Sequence, residues 1–231
     1  MIRKHWAGAA CSLLALAAAS GAARAAAYPA MAPPDQYMIA NQSQEIALAR
    51  SAAPPSISEH ATVMVLGPHG YVSVAKGANG FVCFVERSWD QDFENPEFWN
   101  PKIRSPNCIN AAAVRTVLPA MLERAKWALS GLSLEAMKER DKTSAAAHMT
   151  PAAGSVSFMM SKDQYLNDGA GDWHPHLMFY APRIDPSAWG ANLQASPILA
   201  STNFLSSTKS VPVTVFMIPV RKWSDGTLAN Y

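Results

Sequence analysis

"TVMVLGPHGYVSVAKGANGFVCFVER", residues 62–87, decides how the chain folds. Its three short runs, TVMVL, YVSVA and FVCFVER, are rich in Val, Phe and Tyr, which suit a pleated, half-buried backbone. Between them stand GPHG and KGANG, where Gly and Asn accept positive φ and Pro fixes its own. This order predicts three strands joined by tight turns, an antiparallel meander. The third run is apolar on consecutive residues through Val85, which places it centrally in a sheet covered on both faces.

Cys83 lies in that third run and Cys108 closes the segment after it, SWDQDFENPEFWNPKIRSPNC. A loop of this length without regular structure needs either a function or a pin. A Cys83–Cys108 disulfide supplies the pin, and closing about 25 residues stabilises the fold by about 3.5 kcal/mol in the chain-entropy model. A nucleophilic thiol at Cys83 would need an electropositive setting, and Glu86 and Arg87 offset each other there. Trp89, Phe93, Phe98 and Trp99 stud the loop. They read as a satellite hydrophobic cluster, or alternatively as a surface where Trp89 and Trp99 stack on a carbohydrate or where the loop, with Asp90, Asp92, Glu94 and Glu97, holds a cation.

Beyond the loop, Asn110 caps a helix over AAAVRTVL, Pro119 either kinks it or opens a second segment ended by Gly131, and Ser133 caps a further helix. Strand patterns return with SVSFMMS, HPHLMFY, PILAS and VTVFMIPV. Upstream, Met38, Ile39, Ile46 and Ala49 recur at helical spacing, with Asp35 as the cap and Pro54–Pro55 as the stop. Strands, then helices, then strands predict an α+β domain. Its sheet is mostly antiparallel with about six or seven strands, and a helical insertion divides the N-terminal meander from the C-terminal strands.

The first 27 residues read as a cleaved export signal, with Arg3 and Lys4 ahead of an apolar stretch and small residues around Ala25 to Ala27. Residues 28–34 form a flexible lead-in and residues 35–231 one globular domain. Cleavage removes Arg3, Lys4 and Arg24, leaving 16 basic against 17 acidic residues, a net charge of minus one. With no basic cluster left, nucleic acid is excluded as a partner, and no later apolar run is long enough to anchor the mature chain in a membrane. The expected setting is periplasmic or extracellular, where a lone cysteine pair is bridged.

No GxGxxG, P-loop, GxSxG or HExxH occurs. The candidate chemistry is GDWHPHLMFYAP, residues 171–182. On a strand Asp172, His174 and His176 share one face, which suits a divalent metal such as zinc with positions open for water or substrate. Such a metal would generate a hydrolytic nucleophile. Pro175, which cannot donate to a ladder, instead marks a sheet edge or the approach to a strand. The plainer reading has both imidazoles bonded to backbone or water, whereas in the metal reading His60, His69 or His148 would complete the site if the fold brings them near. The cupin order fails because no Glu follows the HxH, and the two-histidine phosphoesterase order fails because His176 and Met178 occupy the Ser/Thr places. Two functions follow as expectations: an exported soluble domain that is non-catalytic or ligand-binding, with a small molecule or carbohydrate as its partner, or a periplasmic metal-dependent hydrolase using Asp172, His174 and His176.

Overall fold

Val63 points to one side of β1 (Thr62–Gly67) and Met64 and Leu66 to the other, and each set joins a different core. That division organises the whole molecule. The computed structural model describes residues 28–202 and 213–230. The leader prediction falls on residues 1–27, outside the described residues.

One sheet of eight strands runs in the order β2-β1-β3-β4-β5-β6-β8-β7. Its members are β1, β2 (Gly70–Ala75), β3 (Val82–Glu86), β4 (Ser105–Ile109), β5 (Val156–Met159), β6 (His176–Pro182), β7 (Leu199–Ser201) and β8 (Val213–Pro219). Between β4 and β5 lie α3 (Ala111–Thr116), α4 (Leu118–Leu129) and α5 (Leu134–Asp141), while α1 (Gln42–Arg50) and the single turn α2 (Pro55–Ser58) precede the sheet. The fold is α+β, with the helical insertion where the sequence places it.

The meander prediction fails at its third strand. β1 and β2 form the expected hairpin, but β3 returns on the far side of β1 and pairs with it in parallel, Thr62 with Val82 and Val63 with Cys83. The KGANG segment is therefore a crossover at the start of β1. Gly77 passes so close that a Cβ there would lie 2.3 Å from the backbone of Ala61 and Thr62. Its N–H donates to Thr62 Oγ1 at 3.0 Å, and Ala78 N–H to His60 O at 2.9 Å. The other connections in the sheet are antiparallel.

β4 is the strand that the sequence pattern hides, because SPNCI carries Pro106. Cys83 and Cys108 are direct cross-strand partners joined by a disulfide, with Cα atoms 4.0 Å apart, the close spacing of a non-hydrogen-bonded pair. Pro106, opposite Val85 and two residues on, has the same phase, so its nitrogen faces away from β3. β5 pairs with β4 only at Cys108 and Ile109, and no ladder donor is needed at Pro106.

The predicted first helix is also divided. Pro34–Tyr37 is a 3-10 turn, Met38 is extended, and α1 begins under Asn41, whose Oδ1 accepts from Ser43 N and Gln44 N. Asp35 caps nothing. The chain turns because Tyr37 is buried, its hydroxyl donating to Trp99 O at 2.8 Å. The lead-in before it is held as well: Tyr28 and Met31 pack against the core, and Ala32 N donates to Tyr37 Oη.

α1 covers one sheet face over β1, β3 and β4, while α3, α4 and the aromatic loop cover the other. Trp89, Phe93, Phe98 and Trp99 are all buried in that second core. Arg124 of α4 fastens the loop: its guanidinium lies 4.2 Å from the Phe93 ring centre, donates to Gln91 O at 3.0 Å, and pairs with Asp141 at 3.5 Å. Cation–π contact and buried hydrogen bonds together give this loop a fixed shape without regular structure.

Candidate functional site

Strand alternation sends adjacent residues to opposite faces. Glu86 and Arg87, which the sequence suggests offset one another, therefore part. Arg87 turns toward α1 and pairs with Glu45 at 2.8 Å, donating also to Tyr37 O and Val85 O, with both charges buried. Glu86 follows Phe84 onto the helical-insertion face, where Asn107 Nδ2 donates to its Oε1. Among the described residues no Lys or Arg pairs with the Glu86 carboxyl.

Beyond β5's two-residue pairing with β4, the same face opens into a half-enclosed pocket of about 220 Å³. Five strands supply its floor: Glu86 from β3, Ser105 from β4, Met159 from β5, His176 and Met178 from β6, and Met217 from β8. Their convergence follows from register, since Glu86 faces Ser105, Met159 faces His176, and Met178 faces Met217. The segment between β5 and β6 forms the rim through Leu166, Asn167, Ala170, Asp172 and Trp173, and Gln91 reaches in from the aromatic loop.

The electrostatics of the floor are set by burial. Loss of water pushes the Glu86 carboxyl up to about 8, and the Asp90 carboxyl raises it further. Burial likewise pushes Asp90 up to about 7, opposed by the Arg87 N–H it accepts. At neutral pH the pair retains a proton, because burial and mutual repulsion outweigh the pull of the Arg124 and Arg87 charges on Asp90. Burial holds His176 down to about 4, so its ring is neutral. Its Nδ1 lies 2.8 Å from the His174 carbonyl, which can only accept, so Nδ1 carries the hydrogen and Nε2 is left as an acceptor. Gln91 Nε2 donates to Leu166 O at 3.1 Å, which fixes its amide, and its buried Oε1 has no hydrogen-bond partner among the described residues.

The rim is anchored by Asp168. Its carboxylate accepts from Tyr28 Oη at 2.6 Å, Tyr165 Oη at 2.7 Å, Lys102 Nζ at 2.8 Å and Asn100 Nδ2 at 3.1 Å. The Lys102 ammonium and the two phenols hold this carboxyl well below the usual carboxylate range. Its own N–H donates to Glu97. The lead-in, the aromatic loop and the rim thus meet at one residue. Gln164 Nε2 donating to Trp173 O fixes the far end of the rim.

Of the residues singled out by sequence, Cys83 and Cys108 are bridged. Asp172, His174 and His176 are not gathered as a ligand set. His176 faces the pocket just described, His174 lines a neighbouring cleft of about 190 Å³ with Trp223, and Asp172 and Trp173 border both. The Trp173 indole packs against both imidazoles, its centre 4.7 Å from His176 and 5.7 Å from His174. Pro175 between the histidines keeps Asp172 and His174 off the strand, so strict alternation begins only at His176. Among the described residues no group of three His, Cys, Asp or Glu side chains is placed to hold a metal ion. The spare histidines do not help: the β1–β2 hairpin, beside His60 and His69, is four places from β6 at the other end of the sheet, and His148 Nε2 lies 3.2 Å from Asp141 O. Trp89 and Trp99 are 0% and 4% exposed, which removes them as a stacking platform.

Sequence reasoning missed Glu86, Gln91 and the methionine wall. One signal was present: Glu86 sits in phase with Phe84 on a strand whose two faces are both apolar, and a carboxyl there must be buried. Gln91 and Met217 carry no comparable mark, since only the register of distant strands brings them to the pocket. No family model, curated protein or solved structure matches the chain.

Proposed function

We propose that this protein is a single-domain binding module that takes up a small, mostly apolar ligand in the pocket between Glu86, His176 and the 166–173 rim. The observation that supports the reading is a concave, methionine-lined pocket with a few convergent polar groups, the general character of small-molecule sites. At about 220 Å³ it exceeds the roughly 150 Å³ engineered cavity that admits benzene, and it suits a ligand of one ring and a short polar arm. Methionine adapts its shape to such guests. The leader-like N-terminus and the disulfide favour a periplasmic or extracellular setting. Lining by Met159, Met178 and Met217 disfavours a polyhydroxylated sugar.

The test is titration with one-ring probes such as 2-phenylethanol, reading the Trp173 indole resonance. The wild type shows a saturable shift, and Ala170→Trp, which adds bulk at an exposed rim position, loses it. No shift in the wild type with probes of either charge or none removes the proposal. Metal-assisted hydrolysis competes with it, and stoichiometric zinc retained after dialysis and lost in a His174→Ala/His176→Ala variant would favour that alternative.

A further inference from the structure

We propose that the ligand is a small primary amine, bound as its ammonium ion with the Glu86 carboxylate as counter-ion and its apolar body against Met178, Met217 and Trp173. This inference rests on the binding-module reading and deepens it. Its basis is the pattern of donors and acceptors on the pocket wall. Among the described residues the pocket lining contains no Lys or Arg, and it has two carboxyl groups, Glu86 on the floor and Asp172 at the mouth. Gln91, whose Nε2 donates to Leu166 O, keeps its carbonyl oxygen buried beneath the wall with no hydrogen-bond partner among the described residues. His176 presents Nε2 as an acceptor, because Nδ1 is committed to His174 O. An ammonium group has three donors and no acceptor, which complements such a wall. The Trp173 ring adds an aromatic surface that attracts cations, and the methionine sulfurs are polarizable. An anion of the same shape would meet two carboxyls and no cation.

Binding carries a proton step. Protonated Glu86 gives its proton to solvent as the ammonium enters, so a neutral carboxyl and a free cation become a buried ion pair plus one released proton. The groups facing Glu86 from the surrounding elements are Asp90 after β3, Asn107 and Ser105 on β4, Tyr71 on β2, and His176 and Tyr180 on β6. Arg87 is committed to Glu45 on the opposite face. Of these, only Asp90 shares the proton of Glu86 in the neutral range.

Calorimetry with three near-isosteric probes, 2-phenylethylamine, 2-phenylethanol and phenylacetate, tests the inference on the full chain and on Glu86→Gln. The expected order at pH 8 is amine at least about ten-fold tighter than alcohol, as a charged hydrogen-bonded pair provides, with no binding of phenylacetate. Because an ionised Glu86 is required, amine affinity weakens on the order of 50-fold from pH 8 to pH 6 while alcohol affinity stays level. Glu86→Gln reduces the amine to the level of the alcohol, and a cooperative urea transition of the variant shows that it is folded. Alcohol binding as tight as the amine, or amine binding unchanged in Glu86→Gln, overturns the amine assignment and leaves the pocket standing. Failure of all three probes overturns the pocket and the amine together.

Discussion

Replacing Glu86 by Gln raises stability above neutral pH and flattens its dependence on pH. The Gln side chain keeps an oxygen for Asn107 Nδ2 and nearly the same volume, so its place beside Asn107 and opposite Ser105 is preserved. What changes is the cost of ionisation. In the unfolded chain the Glu86 carboxyl loses its proton near its ordinary value of 4.5, whereas in the fold it keeps it up to about 8. Across that window the folded state binds more protons, so stability falls as pH rises, from full value below about 4.5 to its lowest above about 8. At about 1.4 kcal/mol per tenfold in the equilibrium, the loss attributable to this one carboxyl is on the order of 5 kcal/mol. For a domain of this size that is on the order of 10 °C in melting temperature. Urea unfolding of wild type and variant at intervals from pH 5 to pH 9 measures it. The wild type loses stability toward pH 9, and the variant loses several kcal/mol less because only Asp90 remains to be ionised, now with its carboxyl neighbour gone. If Glu86→Gln follows the wild-type slope, or weakens the protein more at pH 8 than at pH 5, Glu86 is not held neutral and the reasoning is wrong.

The acid side is governed by the opposite case. His176 is held neutral down to about 4, so the unfolded chain gains a proton near 6.5 that the fold refuses, and stability falls as pH drops from about 6.5 to about 4. A His176→Phe variant should lose much of that acid limb in the same urea series, and an unchanged limb would assign it to other groups. Arg124→Met should cost about 3–5 kcal/mol, since Asp141 is left charged and buried, and should expose the aromatic loop to proteolysis; intact loops at equal stability would contradict the fastening role. Replacing Cys83 and Cys108 together by Ala should cost about 3.5 kcal/mol, and a loss below about 1 kcal/mol would mean that the aromatic cluster pins the loop alone. Asp168→Ala should speed hydrogen exchange at the amides of residues 166–171 while leaving β6 protected, whereas uniform exchange across both would separate the rim from Asp168.

Much of the fold is legible in local pattern because its elements obey local rules. The Asn110 and Ser133 caps, the Gly131 stop and the C-terminal strands all appear where residue type places them. Two features are not local. β4 contains Pro106, and only the divergence of β5 makes a proline harmless there. The parallel return of β3 depends on Gly77 slipping under the Ala61–Thr62 backbone, a contact that a turn-rich string does not distinguish from a hairpin. The site divides in the same way. His176 is found from its strand pattern, but its ring belongs with Glu86 and Met217, residues at sequence separations that periodicity cannot bridge. The aromatic loop misleads in the other direction, since tryptophans beside acidic residues resemble a recognition surface until Arg124 draws them into the core.

The central claim is that the pocket beside Glu86 and His176 receives a small ligand, and a crystal structure of the protein grown with 2-phenylethylamine tests it most directly. The ring is expected among Met178, Met217 and Trp173, with the amine nitrogen within about 3 Å of a Glu86 carboxylate oxygen. A probe that binds in solution and lies anywhere else in the crystal, with this pocket holding only solvent, would contradict it.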